Sequence, residues 1–161
     1  MKNKLASFPP IVDENSEILI LGTMPGAMSL AKQEYYGFPQ NAFWKIMFTY
    51  FDALPLPSEF EQRVALLRKH KIALWDVLAY CDRQGSLDIN IKNQIENDIP
   101  GLLRQHPKIT RILFNGKESY KYFGKKFKEQ EGISYHVMPS TSPANTVAFA
   151  EKLKIWSDAL S

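Results

Sequence analysis

The chain has 161 residues, 45% hydrophobic and 12% aromatic, which is enough for a proper core in one domain spanning 1–161 and too apolar for disorder. A net charge of +3 and a pI near 8.9 admit an anionic partner without requiring one. The lone cysteine, Cys81, excludes an internal disulfide, an iron–sulfur cluster and a cysteine-type zinc site. The lysine-bearing N-terminus lacks an apolar core of signal-peptide length, and no run is long enough to span a bilayer. The expectation is therefore a soluble, cytoplasmic protein with no membrane partner.

In chain order, residues 18–21 form a short apolar run that reads as a buried strand. A tight turn with glycine on either side of Thr23-Met24-Pro25 follows, then Tyr35 and Tyr36, then Asn41 just ahead of an amphipathic helix over 42–51. Residues 58–70 predict a second helix, opened by Ser58 and Glu61 at capping-box spacing. Residues 72–77 predict another strand. A helix starting near Asp98 carries Pro100 in its first turn, and residues 111–115 form a third strand with a helix after Gly116. Residues 135–138 are the fourth strand, and residues 143–160 the last helix. Strands separated by helices imply an α/β fold. We expect a three-layer αβα sandwich with a central four-stranded parallel sheet and right-handed crossovers. In such a sheet the segments 22–41, 76–88, 115–117 and 139–145 all leave at one edge, where open α/β sheets place their ligands.

Those exits hold most of the unusual residues. The turn Gly22-Thr23-Met24-Pro25-Gly26 can expose backbone N–H groups to a carbonyl oxygen or an oxyanion, or can simply join strand to helix. Asn41 stands where an N-cap would stand. Its carboxamide also offers a donor and an acceptor side by side, the complement of a ring N–H next to a carbonyl. Tyr36 and Tyr35 suit either a stacking platform or the core. Residues Ser140, Thr141, Ser142, Pro143, Ala144 and Asn145 suit a helix start, with Ser142 as cap and Pro143 in the first turn, or a phosphate contact. Lys117, Lys121, Lys125, Lys126 and Lys128 read more readily as a solvated helix face than as a nucleic-acid contact. GxSxG and GxxxxGK[ST] are absent, and His70, His106 and His136 lack metal-ligand spacing, so no metal or other cofactor is expected.

Together these segments (ILILGTMPGAMSL, YYGFPQNAFWKI, LWDVLAYCDRQGSLD, FNGKESYKYF and MPSTSPANT) resemble the uracil-DNA glycosylase superfamily, and within it the hypoxanthine-DNA (deoxyinosine) glycosylase family. The resemblance implies a four-stranded parallel sheet between helices and a monomeric repair enzyme acting on damaged DNA. It implies that Asn41 is the functional amide and that Tyr36 stacks on a flipped base. Gly22 to Gly26 and Phe38 would complete the base site. Ser140 to Asn145, with Lys117, would lie against the DNA strand. Met24 occupies a position where relatives carry Asn, Asp or Glu, so that turn is expected to act through its backbone.

The implied reaction is hydrolysis of the N-glycosidic bond of a deaminated base, with hypoxanthine and possible uracil as substrates. No carboxylate in the first motif is available to activate water, and no pocket lysine for a Schiff base is evident, so an uncut strand with an abasic site is expected. The rival readings are a uracil- or mismatch-specific glycosylase, a non-catalytic lesion-binding module, and a nucleoside hydrolase. The loop over 82–88 is a further candidate DNA contact.

Overall fold

The computed structural model describes residues 4–161. Its centre is a four-stranded parallel sheet of β2 (Ile18–Gly22), β3 (Ile72–Asp76), β6 (Arg111–Asn115) and β7 (Ser134–Met138), in the spatial order β3-β2-β6-β7. The expected four-stranded α/β architecture is present. Apolar alternation builds the layers. Ile20, Ile72, Leu74 and Leu113 join one core with α2 (Phe43–Tyr50), α3 (Phe60–Lys69) and α6 (Phe149–Leu160). Leu19, Leu21, Ala73, Ile112 and Phe114 join the other, with α4 (Ile99–Gln105) and α5 (Lys117–Lys126). Helices on both faces explain why these strands are near-continuous apolar runs. The exception is the edge strand β7, where Ser134, His136 and Val137 are exposed.

The short strands β1 (Lys4–Ala6), β4 (Leu78–Asp82) and β5 (Lys92–Glu96) form a second, antiparallel sheet in the order β1-β4-β5, which the sequence reading did not anticipate. A single 3-10 turn, Asp88–Asn90, lies between β4 and β5. The short helix α1 (Ala27–Lys32) precedes α2. Among the described residues no helix is long and apolar enough to cross a membrane.

Two helix starts differ from expectation. α3 begins at Phe60 with Glu59 as N-cap and makes no side-chain cap bond, so Ser58 and Glu61 do not form a capping box. With the cap at position 59, the residue that could reach back is Gln62. α4 starts as expected, with the Asp98 carboxylate accepting the Gly101 N–H at 3.1 Å. α6 begins at Phe149, not at Pro143. Ser142 Oγ accepts the Ala144 N–H at 3.2 Å and Asn145 Oδ1 accepts the Val147 N–H at 3.1 Å. These local turns hold the segment out of the helix, so Ser142 is not a helix cap.

The strand order places the site. From β2 the chain moves outward to β3, then crosses back over β2 to β6. The loops leaving β2 and β6 thus diverge to opposite sides, opening a crevice at their carboxyl ends. Gly22 ends β2, Asp76 pairs beside it at the end of β3, and Asn115 ends β6.

Candidate active site

A cleft of about 700 Å³ lies at this edge, lined in part by Tyr36, Phe38, Asn41, Thr141, Pro143 and Asn145. These residues come from the β2–α2 connection and the β7–α6 connection, which meet where the Ala42 N–H donates to the Thr141 carbonyl at 3.0 Å. Asn41 Oδ1 accepts the Phe43 N–H at 2.9 Å, which fixes the carboxamide at the start of α2. No partner holds its Nδ2 group among the described hydrogen bonds. The N-cap of α2 is Ala42, so Asn41 is not the helix cap its position suggested; its side chain closes a local turn one residue ahead of the helix, on the cleft wall.

The adjacent tyrosines diverge. Tyr35 is buried, and its hydroxyl donates to the Pro9 carbonyl at 2.9 Å. Tyr36 sits at φ 54°, a left-handed conformation that costs a bulky residue on the order of 1 kcal/mol. Its ring stacks on Phe43, with centroids 4.1 Å apart and planes 25° apart, so one face is covered, and Tyr36 also lines the cleft. The Tyr36 hydroxyl points inward, where it is buried without a hydrogen-bond partner. Burial, with the nearby Asp76 carboxyl second, pushes this phenol above its ordinary range. A Cβ on Gly22 would sit 2.5 Å from Asp76 Oδ1 and 3.1 Å from the Tyr36 hydroxyl, so only glycine lets these side chains converge there.

The second motif is anchored from beneath. Asn115 Nδ2 donates to Thr141 Oγ1 at 3.0 Å, and the Thr141 N–H donates back to Asn115 Oδ1 at 2.9 Å, both residues being buried. Lys152 Nζ braces the same loop through the Ser142 and Asn145 carbonyls at 3.2 and 2.8 Å. Gly116, at φ 99°, allows the β6–α5 turn to pass Ser140, whose Cβ would lie 3.1 Å from an added Cβ. Gly116→Ala is expected to destabilise the protein by about 1–3 kcal/mol, since it combines this contact with a left-handed backbone. A thermal melt equal to wild type would contradict this.

The first turn is held differently. Met24 is 7% exposed and packs into the core with Leu19, Leu21 and Phe123. Arg83 is buried, with Nη2 donating to the Pro25 carbonyl at 2.6 Å and Nε to the Gly85 carbonyl at 2.8 Å. Ser86 Oγ accepts the Ala27 N–H at 2.9 Å, so this amide is not available to a ligand. The loop over 82–88 thus clasps the turn from outside. Thr23 is buried beside it, and Gly26 caps α1.

The structure does not gather every candidate at the cleft. Gly22 to Gly26 stand behind Tyr36 rather than on the lining, and Ser140, Ser142 and Ala144 support the loop without lining it. Lys117 is exposed at the start of α5 and also off the lining. The cations on the cleft are instead Lys32, Lys45, Arg63 and Lys152, with no acidic residue among the lining. Lysines thus line the pocket, and the Lys152 ammonium is bound to two carbonyls. Burial lowers its pKa. Asp76, Arg83 and Asn115 were not singled out as site residues. The available signal was a polar residue closing an apolar strand run. Among the described residues no group of three or more His, Cys, Asp or Glu could hold a metal.

Residues 9–160 match the family model of the uracil DNA glycosylase superfamily. A hypoxanthine DNA glycosylase of Methanosarcina barkeri is 35% identical over 156 residues, covering 97% of this chain and 98% of that protein. Another from Methanosarcina acetivorans is 38% identical over 138 residues, 86% of each chain. A solution NMR structure of a candidate uracil DNA glycosylase from Methanosarcina acetivorans superposes with a TM-score of 0.83 at 33% identity, covering 98% of this chain and 96% of that one.

Proposed function

Since the chain belongs to the uracil DNA glycosylase superfamily, we propose that it is a monofunctional DNA glycosylase releasing hypoxanthine, and uracil through the same hydrogen-bond pattern, from DNA. The observation that carries this reading is Asn41, held on the cleft wall by the Phe43 N–H with its Nδ2 group unengaged beside the Tyr36 ring. Both bases show a ring N–H next to a carbonyl. The amide donates to that carbonyl, and the second lone pair of Oδ1 accepts the ring N–H. Adenine shows the reverse pattern and leaves the Asn41 groups unpaired. Deamination creates the accepted pattern, so one fixed amide distinguishes hypoxanthine from adenine and uracil from cytosine; guanine and thymine share the pattern and are excluded by other features of the site.

The base leaves the helical stack to enter the cleft, at a cost of a few kcal/mol that is smaller for a mispaired base. Tyr36 then stacks on it. Lys32, Lys45 and Arg63 meet the phosphates of the flanking strand. As charge accumulates on the departing base, the Asn41 Nδ2 group donating to its carbonyl stabilises it. The protein acts as a cytoplasmic monomer in one domain, with no cofactor. Incubation with oligonucleotides carrying one deoxyinosine or one deoxyuridine tests the reading: an abasic site appears, and the strand breaks only after alkali. A strand left intact by alkali for both lesions refutes it.

Lys152 gives a further expectation. Its ammonium is fixed on two carbonyls and does not attack the opened sugar. Borohydride added during turnover traps no protein–DNA adduct. A covalent adduct lost in Lys152→Met would show that this lysine is a nucleophile.

A further inference from the structure

The cleft that holds Asn41 is also lined by apolar side chains that recognition of the lesion base leaves unused. Phe38 stands on the β2–α2 connection just ahead of Asn41, and Leu54 and Leu56 stand on the α2–α3 connection. All three are open to solvent, at 38%, 53% and 36% exposure. Large apolar side chains gathered in the open on one cleft mark a surface that binds something. The volume agrees. About 700 Å³ is the size of site that encloses a whole drug-sized molecule, and a single planar base fills only part of it.

Charge identifies the occupant. Lys32 and Arg63 line the same cleft, and no acidic residue does. Both cations are held in place by the connections that carry the apolar side chains. Lys32 Nζ donates to the Gly37 carbonyl, next to Phe38, at 2.9 Å. Arg63 Nε donates to the Pro57 carbonyl, next to Leu56, at 2.7 Å. No partner engages the two terminal amino groups of Arg63 among the described hydrogen bonds, which leaves them to a phosphate. Pro55 and Pro57 restrict the backbone on either side of Leu56, so little freedom is lost when this wall is covered. Open apolar side chains beside fixed cations fit a ligand that alternates flat rings with phosphates, which is a nucleic-acid strand with its bases unpaired. A paired duplex would bring phosphates here but no open base face.

We propose that Phe38, Leu54 and Leu56, with Lys32 and Arg63, form a second subsite for the unpaired nucleotide next to the lesion, so that the preferred substrate is a deaminated base in single-stranded DNA. This rests on the glycosylase reading above and goes beyond it by assigning the strand state of the substrate. In a matched duplex the neighbouring base must leave its own pair and stack to reach the subsite, which forfeits the gain. In a single strand that obstacle is largely absent, and the base packs on Phe38 and the two leucines while its phosphate meets Arg63 and Lys32.

Single-turnover release of hypoxanthine is measured from a single strand carrying one deoxyinosine and from the same strand paired with its complement. Two further single strands carry a propanediol linker in place of the nucleotide on one or the other side of the lesion, which keeps the phosphates and removes the base. Wild type should reach half-saturation on the single strand at a protein concentration at least about tenfold below that for the duplex. One of the two linkers should raise this concentration about tenfold while the maximal rate stays within about threefold, since the contact serves binding and not the chemical step. A double variant carrying Leu54→Ser and Leu56→Ser should show a similar rise on the unmodified single strand, no further rise with either linker, and a duplex value within about twofold of wild type. Both leucines are exposed, so its melting temperature should stay within about 2 °C of wild type. If neither linker weakens binding by wild type, the proposal is overturned and the glycosylase reading stands, whether or not the double variant folds. A folded double variant that saturates on the single strand as wild type does also overturns it, and would leave the apolar side chains to a protein partner. No release from any of these substrates by wild type overturns both readings.

Discussion

Asn41→Asp lowers hypoxanthine release by about a hundredfold or more while the melting temperature stays within about 2 °C of wild type. The substitution separates the two roles the structure gives this residue. Aspartate keeps an oxygen for the Phe43 N–H, and its negative charge at the start of α2 is favourable. It loses the Nδ2 donor, and its charge opposes the carbonyl of the incoming base. Asn41→Ala removes both functions. It therefore costs about 1 kcal/mol of stability as well, a fall of a few degrees. Activity and melting temperature measured on both variants decide the matter. Full activity in a folded Asn41→Asp protein would reduce Asn41 to a turn residue ahead of α2.

Asn115→Ala carries the largest expected loss of stability, about 2–4 kcal/mol, because it removes two buried hydrogen bonds and strands the Thr141 N–H. The effect reaches the cleft. Thr141 holds the Ala42 N–H, and its loop brings Pro143 and Asn145 to the lining, so release of the anchor frees one wall. Base release should fall by at least about tenfold even in protein that remains folded. Asn115→Asp recovers part of the stability, since one oxygen still accepts the Thr141 N–H and the threonine hydroxyl can rotate to donate to the other. Thermal melts together with hydrogen exchange at the Thr141 amide report the two halves. An amide as protected in Asn115→Ala as in wild type would mean that the loop is held by other contacts.

The parallel sheet is legible in the sequence because its strands are covered on both faces and so read as short apolar runs bounded by glycine, proline or polar residues. The small sheet is not. β1 has three residues, and its pairing of Leu5 with Cys81 joins segments far apart in the chain. α6 was placed early because Ser142-Pro143 is a sound local start signal, while the side chains of Ser142 and Asn145 in fact bend the segment into turns. At the site, Asn41 is conspicuous ahead of an amphipathic helix. Asp76 and Asn115 are single polar residues ending apolar runs, a pattern shared by many strands without a function. Their meaning comes from strand order alone, which sets β2 between β3 and β6 and draws three strand ends together. Arg83 is further removed still, since only the folded loop brings its guanidinium to the Pro25 carbonyl.

The central claim is that this crevice releases hypoxanthine and rejects adenine through the ring N–H beside a carbonyl that deamination creates. Mass spectrometry of the free base tests it most directly. Two duplexes identical except for one deoxyinosine or one deoxyadenosine are incubated with wild-type protein. The account predicts stoichiometric hypoxanthine from the first and no adenine from the second. No free base from either duplex, or equal release from both, would contradict it.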